Sequence, residues 1–304
     1  MTGGAGFLGR RVCAYLEGRG VKDVLVPRSR DYDLTNQHAV ERLFLDVKPS
    51  VVIHLAARVG GIGANREHPG EYFYANMAMG LHLIEAARQH NIRKFVQVGT
   101  VCAYPKFTPA PFKEDELWNG YPEETNAPYG IAKKALFVML DGYRREYGLR
   151  SAVVVPVNLY GPGDNFDLQS SHVIPALIRK CESARINNQQ TMEAWGTGSA
   201  SREFLYVDDC VLGIIAAAER LEDPLPVNLG TGREITIRNL TEMIARLSGF
   251  EGSIVWDTSK PDGQPRRQLD VTRAKILLGG EAQTGLEEGL QRTIAWWREQ
   301  GCSA

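Results

Sequence analysis

Gly3, Gly6 and Gly9 stand three apart just ahead of a run, Arg10 to Gly18, that reads as a helix. Few folds use that arrangement. Glycines there permit a tight turn and let the backbone approach a pyrophosphate seated on the free N–H groups of the helix start. A lone triplet also suits an ordinary turn, so the residues that follow carry the weight. Val24-Leu25-Val26 reads as a strand at the spacing of a βαβ unit. Gln37 to Asp46 then reads as a helix, Val51 to Leu55 as a buried strand, and the region from Tyr72 to His90 as a long helix. Phe95 to Val98 is a further strand, Pro128 to Tyr147 a helix, and Ala152 to Val157 a strand. This alternation specifies the α/β class, a doubly wound parallel sheet of the Rossmann type with helices on both faces. No strand precedes Gly3. The expectation is that a central first strand is missing, through a late start or a truncation, and that cofactor binding suffers if the protein begins at Met1.

After Asn158 the pattern changes. Gly161-Pro162-Gly163-Asp164 is a turn cluster, longer loops follow, and Leu205-Tyr206-Val207 and Val227-Asn228-Leu229 read as isolated strands. Residues 1–157 are expected to bind a dinucleotide, with parts of about 203–248 returning to that domain, and 158–304 to form a smaller substrate-binding region. The 35 basic and 36 acidic residues nearly cancel, which argues against a nucleic-acid partner. Cys13, Cys102, Cys181, Cys210 and Cys302 are irregularly spaced without a CxxC pair. They read as reduced thiols of a cytoplasmic protein, not as disulfides or a zinc site. Neither a membrane-spanning stretch nor a signal peptide is visible.

The strand after the glycine helix ends in Pro27-Arg28-Ser29-Arg30, where an NAD enzyme usually carries an acid for the ribose 2′-hydroxyl. Two guanidiniums suit a 2′-phosphate and favour NADP, although Asp31 and Asp33 follow closely. Further along, Tyr129 and Lys133 form Y-x-x-x-K, with both side chains on one helix face. An ammonium beside a phenol favours the phenolate. Such pairs arise by chance in many helices. This one lies one step beyond the strand end Gly99-Thr100-Val101-Cys102-Ala103-Tyr104-Pro105, where α/β folds place their ligands.

The glycine triplet, Thr100 and the Tyr129/Lys133 pair together resemble the extended short-chain dehydrogenase/reductase family. Within it, the chain is similar to the GDP-L-fucose synthases in His54-Leu55-Ala56-Ala57-Arg58-Val59-Gly60-Gly61-Ile62, Val101-Cys102-Ala103-Tyr104-Pro105 and Asn158-Leu159-Tyr160-Gly161-Pro162. Ser171-His172-Val173-Ile174-Pro175-Ala176-Leu177, Arg202-Glu203-Phe204-Leu205-Tyr206-Val207-Asp208-Asp209 and Lys260-Pro261-Asp262-Gly263-Gln264-Pro265-Arg266 continue the resemblance in order. It implies epimerisation of GDP-4-keto-6-deoxy-D-mannose at C3 and C5, then reduction at C4 with NADPH. The 4-keto group acidifies the neighbouring C–H bonds, so a base and an acid on opposite faces can invert each centre.

By the family pattern Cys102 takes the proton and His172 returns it, Tyr129 protonates the C4 oxygen, Lys133 supports the phenolate, and Thr100 hydrogen-bonds that oxygen. NADP contacts are implied for Gly3, Gly6, Phe7, Leu8, Gly9, Arg28, Arg30, Leu55, Ala56, Ala57, Val98, Tyr129, Lys133, Pro156, Asn158, Leu159 and His172. Lys180, Trp195, Arg202, Asp262 and Arg266 are implied for the GDP-sugar. A homodimer paired through the helices at 72–90 and 128–147 is implied as well. Thr100 stands where relatives mostly carry serine, and Lys180 where arginine is common, which keeps the charge but loses the bidentate fork.

Other readings stay open at this point. A reductase or epimerase for another GDP-sugar, such as a deoxyheptose, would use the same motifs. A 4,6-dehydratase would need an acidic pair where Val101 and Cys102 stand. A non-catalytic nucleotide sensor on the same fold would have no use for Cys102, Tyr129, Lys133 and His172 together.

Overall fold

The computed structural model describes residues 1–60, 62–260 and 262–301; Gly61, Pro261 and Cys302, named above, lie outside them. Gly6 stands extended at the mouth of helix α1 (Phe7–Gly18). Residues 21–28 follow without forming a strand, and this corrects the expectation for Val24 to Val26. The reason is partnership. Leu25 accepts a bond from the Met1 amino group at 2.7 Å, and no ladder extends from there among the described residues. Thr2 lies on the opposite side, beside strand β1 (Val51–His54). Its N–H donates to Ile53 at 3.0 Å, and its carbonyl accepts from Leu55 at 3.2 Å. Between them comes α2 (Gln37–Val47), started by the Asn36 side chain, which accepts from the N–H groups of His38 and Ala39.

The chain continues through α3 (Ile62–Glu67), α4 (Pro69–Gln89), β2 (Lys94–Val98), α5 (Ala127–Tyr147) and β3 (Ser151–Pro156). Proline in the first turn starts both α4 and α5, where a missing N–H costs nothing. Gly148, left-handed at φ 71°, ends α5. Then follow β4 (Asn158–Tyr160), α6 (Val173–Ile186), β5 (Thr191–Trp195), β6 (Ser201–Tyr206), α7 (Val207–Arg220) and β7 (Pro226–Leu229). The last elements are β8 (Glu234–Thr236), α8 (Ile237–Ser248), β9 (Ser253–Asp257), α9 (Thr272–Leu278) and α10 (Leu286–Glu299).

Four parallel strands in the order β1-β2-β3-β7 make the main sheet. Every residue of β2, β3 and β7 is buried, as a sheet covered by helices on both faces requires. Strand β7 therefore returns to the first sheet from far along the sequence. Its inner residues join Val96, Val153 and Val154 in one core with Leu83 and Phe137 from α4 and α5. A second core gathers Tyr160, Ile178, Phe204, Ile244 and Leu290 around the smaller sheet β4-β6-β8, where β6 carries the Leu205–Tyr206 run. Val207, read as strand, instead opens α7. Strands β5 and β9 pair separately. Among the described residues no helix is long and apolar enough to cross a membrane.

Candidate active site

The glycine turn is shaped by contacts that exclude side chains. Gly3 has φ +70°, and a Cβ on it would lie 2.6 Å from the Ala56 nitrogen. A Cβ on Gly9 would lie 2.1 Å from the Gly3 carbonyl oxygen. Backbone thus packs on backbone, with Gly6 N–H donating to the Gly3 carbonyl at 3.0 Å. No side chain caps α1, so the N–H groups of Phe7, Leu8 and Gly9 present a positive helix end to an anion. Leu55, Ala56 and Ala57 run half-buried off the end of β1 beside it. A dinucleotide pyrophosphate fits this cradle. Arg28 and Arg30 are exposed beyond it. Arg30 makes one loose ion pair with Asp31 at 3.6 Å, and Arg28 makes none among the described residues. Asp33 is committed elsewhere: it accepts from the N–H and hydroxyl of Thr35 at 2.9 and 2.8 Å, and these bonds lower its pKa.

Past buried Val98, the chain leaves β2 at Gly99, and Thr100 accepts from the N–H of Cys102 at 3.2 Å, capping a short 3-10 turn at Val101–Ala103. Helix α5 brings Tyr129 and Lys133 against this turn, 8% and 2% exposed. Burial pushes the Tyr129 phenol well above its usual pKa, with a further rise from Cys102, while a hydrogen bond with Thr100 opposes both. Burial pulls Lys133 down to about 8. Tyr129 therefore holds its proton near neutrality and is poised as an acid. His54, left as structural by the sequence, is fully buried behind them, with Nδ1 2.8 Å from the Thr2 hydroxyl. Burial, then Lys133, lowers its pKa well below 6.5.

Cys102 is half-buried, and its sulfur lies 3.8 Å from Nη1 of Arg267. His172 sits at the N-cap of α6 and makes no side-chain hydrogen bond among the described residues. Its ring keeps a solvent-exposed surface, yet the protein massed around it lowers its pKa by desolvation. Asn158 donates to the Glu203 carbonyl at 2.9 Å, fixing the start of β4 next to Leu159 and just after buried Pro156.

The residues implied for substrate fall into three settings. Lys180 donates to the Glu193 carbonyl at 3.1 Å and lies 5.1 Å from the Trp195 ring centre. Lys260 approaches the same ring at 5.4 Å. Arg202 donates to the Asp262 carbonyl at 3.3 Å, and the Asp262 carboxylate accepts from the N–H and hydroxyl of Thr197. Burial, then Arg267, pulls Arg202 to about 10. Arg266 forms a forked pair with Glu234, so it is Arg267, its neighbour, that reaches the thiol. Sequence reasoning missed Arg267 and Lys260. Arg267 turns inward because its backbone bonds to Glu203 in β6, a partner far away in sequence, so no local signal marked it.

Residues 1–230 match the NAD dependent epimerase/dehydratase family. The chain is 40% identical over 308 residues to the GDP-L-fucose synthase of Escherichia coli (strain K12), covering 98% of this chain and 96% of that protein. Its structure is similar to that of a GDP-6-OMe-4-keto-L-xylo-heptose reductase from Campylobacter jejuni, with a TM-score of 0.92 and 28% identity over 98% of this chain and 97% of the other. It is also similar to a GDP-L-fucose synthetase from Naegleria fowleri bound to NADP, with a TM-score of 0.91 and 28% identity over 99% and 93% of the two chains.

Proposed function

The chain belongs to the NAD dependent epimerase/dehydratase family, and from that premise we propose that it makes GDP-L-fucose, epimerising GDP-4-keto-6-deoxy-D-mannose at C3 and C5 and reducing it at C4. The observation that carries this is the joining of two chemistries at one turn: Thr100 lies against Tyr129 and also accepts from the N–H of Cys102. A plain reductase needs only the first. Bound on the glycine cradle, NADPH would supply hydride, and Arg28 and Arg30, exposed and largely unpaired, are assigned to its 2′-phosphate.

In the epimerase stage Cys102 removes a proton next to the ketone and His172 returns one to the other face. The half-buried thiol and the His172 ring, which makes no side-chain hydrogen bond among the described residues, are both left available to a substrate. At reduction Tyr129 gives its proton to the C4 oxygen, Thr100 holds that oxygen, and Lys133 stabilises the phenolate left behind. Lys180, Arg202 and Trp195 receive the diphosphate and base. Residues 1–157 carry the cofactor in this reading, and 158–304 the sugar nucleotide. The scattered free thiols suit the cytoplasm. Exposed Phe73, Tyr74, Leu81 and Val138 on α4 and α5 supply an apolar face for a homodimer.

A second reading, reduction of another GDP-linked keto-sugar, is favoured by the likeness to the heptose reductase. One experiment separates them. Protein, NADPH and GDP-4-keto-6-deoxy-D-mannose are mixed in D2O, and the product is identified. GDP-L-fucose bearing deuterium at C3 and C5 supports the first reading; reduction without exchange removes the roles of Cys102 and His172; no oxidation of NADPH overturns the first reading, and the same assay with a GDP-linked keto-heptose then decides the second.

A further inference from the structure

Arg267 carries no carboxylate partner among the described residues, yet its guanidinium is held firmly. Its backbone runs beside β6, where Ser201 N–H donates to Pro265 at 2.9 Å and Glu203 N–H donates to Arg267 at 3.1 Å. Its side chain donates to Gln264 Oε1, at 3.4 Å from Nε and 3.1 Å from Nη2. The Gln264 amide in turn donates to the Lys106 carbonyl at 2.8 Å, on the loop just beyond the Cys102 turn. These bonds leave Nη1 directed at the Cys102 sulfur, 3.8 Å away. Arg266 provides the contrast, since Glu234 neutralises its charge.

We propose that Arg267 is a positioning residue for the epimerase stage, holding the Cys102 sulfur in place as the thiolate that removes the sugar proton, with Gln264 aiming the guanidinium. The inference rests on the reading of Cys102 given above. A thiol is a weak base and a thiolate a strong one, and a fixed cation beside the sulfur favours the anion. The other groups facing Cys102 are Tyr129, which keeps its proton and adds no charge at neutrality, and Arg202, whose positive charge acts in the same sense. In the step itself the sulfur takes the proton from carbon, and the C–H electron pair moves into the 4-keto group as an enolate. His172 then delivers a proton to carbon from the opposite face. The uncompensated charge of Arg267 is thus spent on the base, not on a structural ion pair.

The test needs no substrate. Iodoacetamide labelling of the whole protein is followed from about pH 6 to about pH 9.5 by mass spectrometry of the Cys102 peptide, with half-buried Cys13 as internal control for an intact fold. Arg267→Gln is expected to label Cys102 about tenfold more slowly at neutral pH, with the rate at the alkaline end of the range retained. Arg267→Lys should recover most of the rate, and Gln264→Leu should lose part of it. Coincident curves for Arg267→Gln and the parent overturn the proposal. So does an equal loss in Arg267→Lys, which would mark a purely structural role. In D2O with the keto-sugar, a parent protein that exchanges no deuterium defeats the fucose reading, while the labelling curves still decide whether Arg267 governs the sulfur.

Discussion

A Cβ placed on Gly130 would lie 2.3 Å from the carbonyl oxygen of Cys102, so the helix bearing Tyr129 and Lys133 rests directly on the turn bearing the thiol. Backbone cannot yield as a side-chain tip would. Alanine is ordinarily the better helix former, by about 1 kcal/mol, but here the overlap costs about 1–3 kcal/mol and must separate the acid from the base. Gly130→Ala should lower kcat for both epimerisation and reduction, and weaken NADPH binding less than a substitution in the glycine cradle would, because only the Tyr129 and Lys133 end of the cofactor site moves. Deuterium exchange, NADPH oxidation and cofactor titration on one preparation check this. Unchanged turnover would show that the two elements can part without harm.

Lys133 makes a prediction about stability. Its pKa falls from 10.5 to about 8 on folding because burial disfavours the ammonium. Between about pH 8 and pH 10 the unfolded chain binds a proton there that the folded chain lacks, so this group makes stability rise with pH across that window. Below pH 8 both states are protonated, and the buried charge costs stability, by about 3 kcal/mol at most. Lys133→Met should therefore raise the melting temperature at pH 7 and flatten its pH dependence above 8. The same variant should lose reductase activity by a factor on the order of 100. Denaturant melts of parent and variant at pH 7 and pH 9.5 decide it; equal differences at both pH values would show that the ammonium is not desolvated.

Cofactor choice rests on the exposed pair Arg28 and Arg30. A charge-assisted bond to phosphate is worth about 1.5–3 kcal/mol, so Arg28→Ala should weaken NADPH binding by about tenfold or more and leave NADH binding within about twofold. Arg30→Ala should do less, since Asp31 already shares that guanidinium. Fluorescence titration with both nucleotides measures the ratio. Equal losses for the two would mean that neither arginine meets the 2′-phosphate.

The legible parts of this molecule are those whose signal is local. Fully apolar strands such as Val153 to Val155, and the helix opened by Pro128, declare themselves over a few residues. The catalytic pair is legible because four residues make one helical turn. Val24 to Val26 fails as a strand because a strand is a relation between segments, and among the described residues this stretch gains a hydrogen bond from the Met1 amino group to Leu25 but no ladder. Strands β5, β8 and β9 fall in a region of mixed polarity where pairing comes from partners far away. Arg267 was hidden for the same reason: its direction is set by β6, more than sixty positions earlier. Its neighbour Arg266, which resembles a substrate contact in sequence, is bound to Glu234.

Glu203 shows how the second core supports the first site. Its carboxylate is buried, accepting from the N–H groups of Thr231 and Gly232 through Oε1 and of Leu269 through Oε2 at 2.6 Å. Its own N–H and carbonyl hold Arg267 and Asn158. Burial pushes its pKa up against these bonds, so the ionised form is costly, and removing the charge has something to gain. Geometry opposes that gain. Glutamine offers one acceptor oxygen, and either orientation sets its NH2 against at least one backbone N–H, each such loss costing about 1–3 kcal/mol. Gly230 packs close against Oε1, since a Cβ there would lie 2.3 Å from it. Glu203→Gln should therefore destabilise the protein by about 2 kcal/mol and slow Cys102 labelling as Arg267 loses its backing. Urea melts and the labelling assay test the two halves separately. A stable variant with slow labelling would place Glu203 in the site alone; an unstable variant with normal labelling would confine it to the fold.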